Sequence, residues 1–447
     1  MKKIARYDFT LKPKKPNALL MGVAKKIAAY PVLKARDFEC EYVNMDGIKP
    51  PYFLLANHAS EMDFRILFGS IRPYNMNFVV AIDAMHDNGI GIMRLAGGIC
   101  KRKFVQDLLL IKNMKYCATH YKNPICIYPE ARYSFDGTPS YVTPAVGKMA
   151  KLLKIPVVLM MSYGNYICNP QWNKDKFRPT PLKGKLVCVA TAEEVKTLSA
   201  DQINERIAKN FVYDDFKYQY DNNIKIDFPQ RARGLNRILY QCCECGTEFE
   251  MYGEGTTLEC KKCGKKWEMT ELGRLKALDG KTRFEHIPDW FRWERENVKR
   301  EVENGTYSFE DEIEVHTLPK NKYYYQGTGK FKQDMTGTHF WCEAYGKKFE
   351  LHLAPNELES VHIEFGYRDI KKKQTFGDCL DISTLDDSFW LHPINSKDVI
   401  MKISFATEEL YQLAHKKLHE AKQIEAKQND NKQVENSQTQ NAPNDNK

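Results

Sequence analysis

The chain has 447 residues, 43% of them hydrophobic, which is enough for two to three domains with real cores. No run of about 18 or more uninterrupted apolar residues occurs, which excludes an ordinary transmembrane helix. The net charge of +9 agrees with an anionic partner surface but does not single one out. The start, Met1-Lys2-Lys3-Ile4-Ala5-Arg6, is basic but is followed by no apolar signal-peptide region. The expected location is therefore cytoplasmic, peripheral on the cytosolic face of a membrane.

Residues 1–35 form the first predicted unit, an N-terminal interfacial segment. Residues 17–35 are apolar with Lys25, Lys26 and Lys34 interspersed, and Pro31 predicts a break or kink. Such a helix can lie among lipid headgroups with its lysines toward anionic lipid. The same pattern also serves an amphipathic helix packed on the protein's own core.

The second predicted unit covers residues 36–225. Tyr52-Phe53-Leu54-Leu55-Ala56 reads as a strand, and His58-Ala-Ser-Glu-Met-Asp63 follows it with helix-like residues from Met62 to Phe68. Strand, polar turn and helix is where α/β proteins place their sites. A hydroxyl becomes a nucleophile when an imidazole takes its proton. A nearby carboxylate fixes the ring's tautomer and stabilises the imidazolium. His58 and Asp63 have the residue types for those roles. Three further pieces follow. They are the glycine-rich turn Gly97-Gly98-Ile99-Cys100-Lys101-Arg102, the strand end Tyr128-Pro129-Glu130-Ala131-Arg132-Tyr133-Ser134, and the apolar run Ile155-Pro156-Val157-Val158. Ser60 and Ser134 read as turn or cap residues, because neither stands in a G-x-S-x-G setting.

In this order the four pieces resemble the motifs of the glycerolipid acyltransferase family, which includes the 1-acyl-sn-glycerol-3-phosphate (lysophosphatidate) acyltransferases. The resemblance covers roughly residues 35–200. It implies an α/β fold with a central mixed sheet flanked by helices. It implies catalytic roles for His58, Asp63 and Glu130, and substrate binding by Asn57, Gly98, Lys101, Arg102 and Arg132. It also implies transfer of a fatty acyl group from acyl-CoA or acyl carrier protein to a lysophospholipid hydroxyl, converting 1-acyl-glycerol-3-phosphate to phosphatidate in phospholipid biosynthesis. The third motif departs from the family pattern. Ala131 replaces a glycine, the arginine comes one position early, and Tyr133 stands where the family keeps a phosphate-binding arginine. Three explanations stay open: Arg132 reaches the same place by another turn, Lys101 and Arg102 hold the phosphate, or the headgroup is not a simple phosphate. The alternative functions are acylation of a different lysolipid and a non-catalytic lipid or acyl-carrier binding platform.

Residues 238–270 form the third unit. Cys242 and Cys245, then Cys260 and Cys263, form two C-x2-C-G knuckles whose thiolates can converge on one tetrahedral zinc ion, as in a zinc ribbon. Phe249, Tyr252 and Trp267 offer it a small core. Lys261, Lys262, Lys265 and Lys266 give a basic edge, yet ribbons more often stabilise a domain or contact proteins, so nucleic acid is not the expected partner. A protein partner for the ribbon or the region after it stays open. Residues 300–422 alternate in short runs and end in a helix-like stretch, which predicts a β-rich, PH-like accessory domain. Residues 423–447 are polar and are expected to be disordered.

Overall fold

The computed structural model describes the backbone of residues 4–105, 107–369 and 374–440, with side chains described except at 367–369, 374–376 and 424–440. Strands β1 (Glu39–Val43), β2 (Phe53–Ala56), β3 (Asn77–Ala81), β4 (Gly98–Lys101), β5 (Ile125–Ile127), β6 (Val157–Tyr163) and β7 (Lys183–Ala190) form one sheet, in the order β1-β7-β6-β2-β5-β3-β4. The five strands β6, β2, β5, β3 and β4 run parallel; β7 runs against β6, and β1 runs with β7. The sheet is therefore mixed, as expected. Strand alternation assigns Phe53 and Leu55 to one core with Val157, Leu159 and Ile203. Leu54 and Ala56 enter the opposite core with Ile66, Leu67 and Met160. Helices Leu108–Tyr116, Ala145–Leu153 and Ala200–Asn210 contribute to the first face and helix Asp63–Ser70 to the second. Both faces are covered, which is why β2 is apolar at every position. The parallel strands bring the turns after β2, β5, β6, β3 and β4 to one edge.

The N-terminal segment is helical over Ala18–Ala24 and Tyr30–Lys34, joined by a widened turn at Lys25–Ala29. Pro31 has no N–H for the helical ladder, and the wide turn before it takes up the change of register. Lys25 does not point outward as the lysine pattern suggested. It is buried and donates to Tyr74 O and Asn75 Oδ1, both at 2.7 Å. Leu19, Val23 and Ile27, spaced four apart, are 79%, 48% and 73% exposed. Among the described residues no helix is long and apolar enough to cross a membrane.

Strands β8 (Met251–Glu254), β9 (Thr257–Cys260), β10 (Lys266–Met269) and β11 (Leu275–Ala277) form a small antiparallel sheet around the cysteine knuckles. Trp267 is fully buried and meets Trp290 of helix Ile287–Glu303 edge-on at 4.9 Å. Tyr252 is instead 48% exposed, with Lys261 over its ring. Strands β12 (Ser308–Thr317), β13 (Tyr324–Asp334), β14 (Gly337–Ala344), β15 (Lys347–Leu353), β16 (His362–Asp369), β17 (Gln374–Ser383) and β18 (Ser388–Pro393) form an antiparallel sheet, ordered β15-β14-β13-β12-β18-β17-β16. Helix Ile400–Gln440 follows and buries Ile403, Phe405 and Leu410. The helix runs through residues 423–440, part of the segment expected to be disordered. That expectation rested on too little apolar surface to form a core. The Gln, Lys, Glu and Ala residues there are good helix formers, and no proline interrupts them before Pro443. Residues 441–447 lie outside the described residues.

One hydrophobic core joins these parts. It includes Phe135, Tyr166 and Trp172 from the first unit, Trp267 from the small antiparallel sheet, and Phe389 and Phe405 from the C-terminal unit.

Candidate active site

His58 follows β2 at the carboxyl edge of the parallel strands. Its Nδ1 lies 2.6 Å from Asp63 Oδ2. Asp63 also accepts from the backbone N–H of Ala59 at 2.9 Å and of Ser60 at 3.2 Å, and from Asn165 Nδ2 at 2.7 Å. A carboxylate only accepts, so Nδ1 carries the hydrogen, and in the neutral ring Nε2 then keeps its lone pair. Asn165 reaches Asp63 because Gly164 turns the chain after β6 with φ +82°. A Cβ at that glycine would lie 2.2 Å from Pro181 O, so no other residue fits the turn.

The loop after β5 clamps the peptide units of His58. Glu130 Oε2 accepts from His58 N at 2.9 Å, and Ser134 N donates to His58 O at 2.7 Å. Glu130 Oε1 accepts from Ser140 N at 2.7 Å and from the Tyr213 hydroxyl at 2.8 Å. Glu130 is 2% exposed, and burial pushes its carboxyl up to about 7 against these donors. It therefore holds the backbone of His58, and among the described residues no basic side chain hydrogen-bonds it. Ser134 Oγ donates to Thr138 O and accepts from Gly137 N, a turn role as expected. Ala131 adopts φ +54°, the left-handed region that favours glycine. The tight turn is thus kept although the glycine is not.

The His58 ring stands between two tyrosines. Tyr128 stacks on one side with centroids 3.9 Å apart and planes 13° apart, and Tyr133 lies 4.0 Å away at 34°. The imidazole side chain is 17% exposed. The ring faces are covered and Nδ1 is engaged, which leaves the Nε2 edge for a reacting group.

The other expected binding residues occupy different positions. Asn57 is a bracket between strands: its Oδ1 accepts from Ser162 N and Oγ, both at 2.8 Å, and its Nδ2 donates to Ser162 O at 3.0 Å. Gly98 is a packing position, where a Cβ would lie 2.9 Å from Met93 O. Arg132 is 4% exposed and pairs with Glu408 at 2.5 Å, with Ser360 Oγ at 2.8 Å and Ser404 Oγ at 3.4 Å beside it. Arg102 is 3% exposed and donates to Ser388 Oγ at 2.7 Å, Asp386 O at 3.0 Å, and Leu318 O and Pro319 O at 3.3 Å. Both arginines hold the C-terminal unit against the first instead of presenting an open fork to a ligand. Lys101 is half-buried, and desolvation lowers its ammonium pKa.

Cys242, Cys245, Cys260 and Cys263 form a second site, their sulfurs all within 4.8 Å of one another. The Cys242–Cys263 and Cys245–Cys260 separations are both 3.8 Å. A tetrahedral ion with Zn–S bonds of about 2.3 Å sets neighbouring sulfurs about 3.8 Å apart, so the group could hold a metal such as zinc. Gly246 and Gly264 close the two knuckles with φ +75° and +77°.

Sequence reasoning did not find Asn165, Ser162, Tyr213 or Tyr128 as supports of His58, nor Glu408 as the partner of Arg132. The Gly164-Asn165 pair after an apolar strand was the one local signal available. No protein-family model matches this chain, and no curated protein matches it. Among solved structures, the chain is similar to that of the 1-acyl-sn-glycerophosphate (LPA) acyltransferase PlsC from Thermotoga maritima. The two are 17% identical, with 43% of this chain and 79% of that one covered, at a TM-score of 0.32.

Proposed function

We propose that the chain is an acyltransferase that moves a fatty acyl group from a thioester donor, acyl-CoA or acyl carrier protein, to the hydroxyl of a lysolipid. The observation that carries this reading is the His58–Asp63 pair, with Nδ1 hydrogen-bonded at 2.6 Å and the Nε2 edge left for a reacting group. Nε2 takes the proton of the acceptor hydroxyl as its oxygen attacks the thioester carbon. The tetrahedral intermediate collapses by breaking the C–S bond. The thiolate leaves and takes the proton from the imidazolium, so the products are an ester and a free thiol. Asp63 holds the ring and offsets the positive charge it carries in between. No covalent enzyme intermediate is required, because the donor is already activated.

The exposed row Leu19, Val23 and Ile27 supports peripheral membrane contact, since apolar side chains on one helix face enter the headgroup boundary. The four cysteines would hold a structural zinc. Seven antiparallel strands closed by a helix support a PH-like accessory unit. The non-catalytic platform has one observation in its favour, the small exposure of His58, 17%.

The test uses the full-length chain with long-chain acyl-CoA or acyl carrier protein and a lysolipid panel, reading product mass for wild type and His58→Ala. Ester product that vanishes in the variant supports the enzyme reading. Lysolipid binding without product in either protein supports the platform.

A further inference from the structure

The geometry points to a lysolipid acceptor whose headgroup carries no phosphomonoester, an inference that rests on the acyl-transfer reading above. A phosphomonoester is a dianion at neutral pH, and open cationic donors are the strongest hold a site can offer it. Among the described residues, the cations near the carboxyl edge are engaged elsewhere. Arg132 is closed off by Glu408, Ser360 and Ser404, and Arg102 by four acceptors of the C-terminal unit. The remaining Nε of each arginine is sealed from solvent. Lys103, 10% exposed at its side chain, lies 2.9 Å from Asp83, 3.3 Å from Asp381 and 4.0 Å from Glu364. Arg65 turns toward the N-terminal helix and donates to Ala28 O and Glu61 O. Lys101 ends β4, three strands from β2 in the sheet. At about 4.8 Å per strand, that is roughly 14 Å away.

The surroundings of Tyr133 have the opposite sign. Its ring covers one face of His58, and its hydroxyl pKa is raised by burial first and then by the carboxylates of Asp63, Glu364, Glu61 and Asp83. Glu364 is held in place by His362 Nε2 at 2.8 Å and Lys174 at 3.5 Å, and Lys103 is shared by Glu364, Asp83 and Asp381, so among the described residues three carboxylates outnumber the two lysines paired with them. A dianion brought beside these carboxylates is repelled, whereas an uncharged or amine-bearing headgroup is not.

The experiment compares three acceptors with the same acyl chain: lysophosphatidate, monoacylglycerol and lysophosphatidylethanolamine. Turnover of the zinc-loaded full chain is measured with each. Equilibrium binding of each to the His58→Ala protein is measured separately, so the result does not depend on catalysis. The expected result is a kcat/KM for lysophosphatidate at least tenfold below that of the better of the other two, with the same order in binding. In Glu364→Gln the gap should narrow several-fold, because one of the repelling charges is gone. Lysophosphatidate as the best acceptor or the tightest ligand overturns the inference, as does failure of all three to bind. An unchanged gap in Glu364→Gln overturns the role given to the carboxylates around Tyr133. Absent turnover on all three with the binding order intact refutes the acyl-transfer reading alone and supports this preference.

Discussion

The turn that carries His58 and the seam that carries Arg132 and Arg102 are built in opposite ways. The turn is held by neutral donors and carboxylates of the first unit: Asp63, Glu130, Ser134 and Asn165 all lie within it. The seam consists of charged groups whose partners belong to the C-terminal unit, such as Glu408 and Ser388. The difference teaches that the position of His58 is set locally, while Arg102 and Arg132 are engaged by a part of the chain more than 200 residues away in sequence. Cations that lie beside a candidate site in sequence can thus serve to hold two units together.

Perturbations can separate the two regions. The largest effect is expected from chelating the metal that Cys242, Cys245, Cys260 and Cys263 are proposed to hold, because the small sheet around them lies in the core that backs the seam. A structural zinc site contributes on the order of 10 kcal/mol in small domains. Chelation should therefore collapse the melting transition and change the fluorescence of the Trp267–Trp290 pair, and one zinc per chain should be found by elemental analysis. A chelated protein that melts as before would remove the metal from the account.

Glu408→Ala comes next. It leaves Arg132 as a buried cation without an ionic partner and removes one of the two carboxylates on Arg295, a change that costs about 3–5 kcal/mol. Denaturant unfolding should show that loss, and a double change with Arg132→Met should recover part of it. A single variant as stable as wild type would mean the pair does not hold the seam.

Glu130 sharpens the contrast through pH. Its carboxyl titrates near 4.5 when unfolded and is raised to about 7 in the fold. Between these values the folded chain binds a proton that the unfolded chain has released, so Glu130 makes stability fall as pH rises from 4.5 to about 7, and level above that. The difference corresponds to about 3 kcal/mol at most. Glu130→Gln should flatten that fall in melting temperature across the window; a slope identical to wild type would show that Glu130 does not titrate there. The smallest effect is expected at Ala131. Its left-handed conformation suits glycine, and Ala131→Gly should raise stability by about 0.5 kcal/mol once the greater freedom of unfolded glycine is subtracted. A drop in melting temperature would argue that the methyl group packs usefully.

These regions also differ in what the sequence made readable. The cysteine site is legible because each knuckle is a local turn, with both ligands three residues apart and a glycine next to the second. His58 and Asp63 are legible for the same reason, as ends of one turn. Asn165 and Tyr213 are not, because they reach the site through strand order, which no local pattern encodes. Arg102 and Arg132 were read for their chemistry alone. Their partners Ser388 and Glu408 lie 286 and 276 residues further on, in ordinary polar positions of a strand and a helix. The antiparallel C-terminal region followed from apolar periodicity, whereas the mixed sheet was implied only by the family resemblance. Helix through residues 423–440 did not, because a composition rule about burial is silent on local propensity.

The central claim is that the His58–Asp63 pair performs base catalysis. The direct measurement is the rate of thiol release from long-chain acyl-CoA in the presence of lysolipid acceptors, for wild type and His58→Ala with matched circular dichroism spectra. The account predicts acceptor-dependent release in wild type and a fall of about 10²–10⁴-fold in the variant with its fold intact. Equal rates in the two proteins, or release that ignores the acceptor, would contradict it.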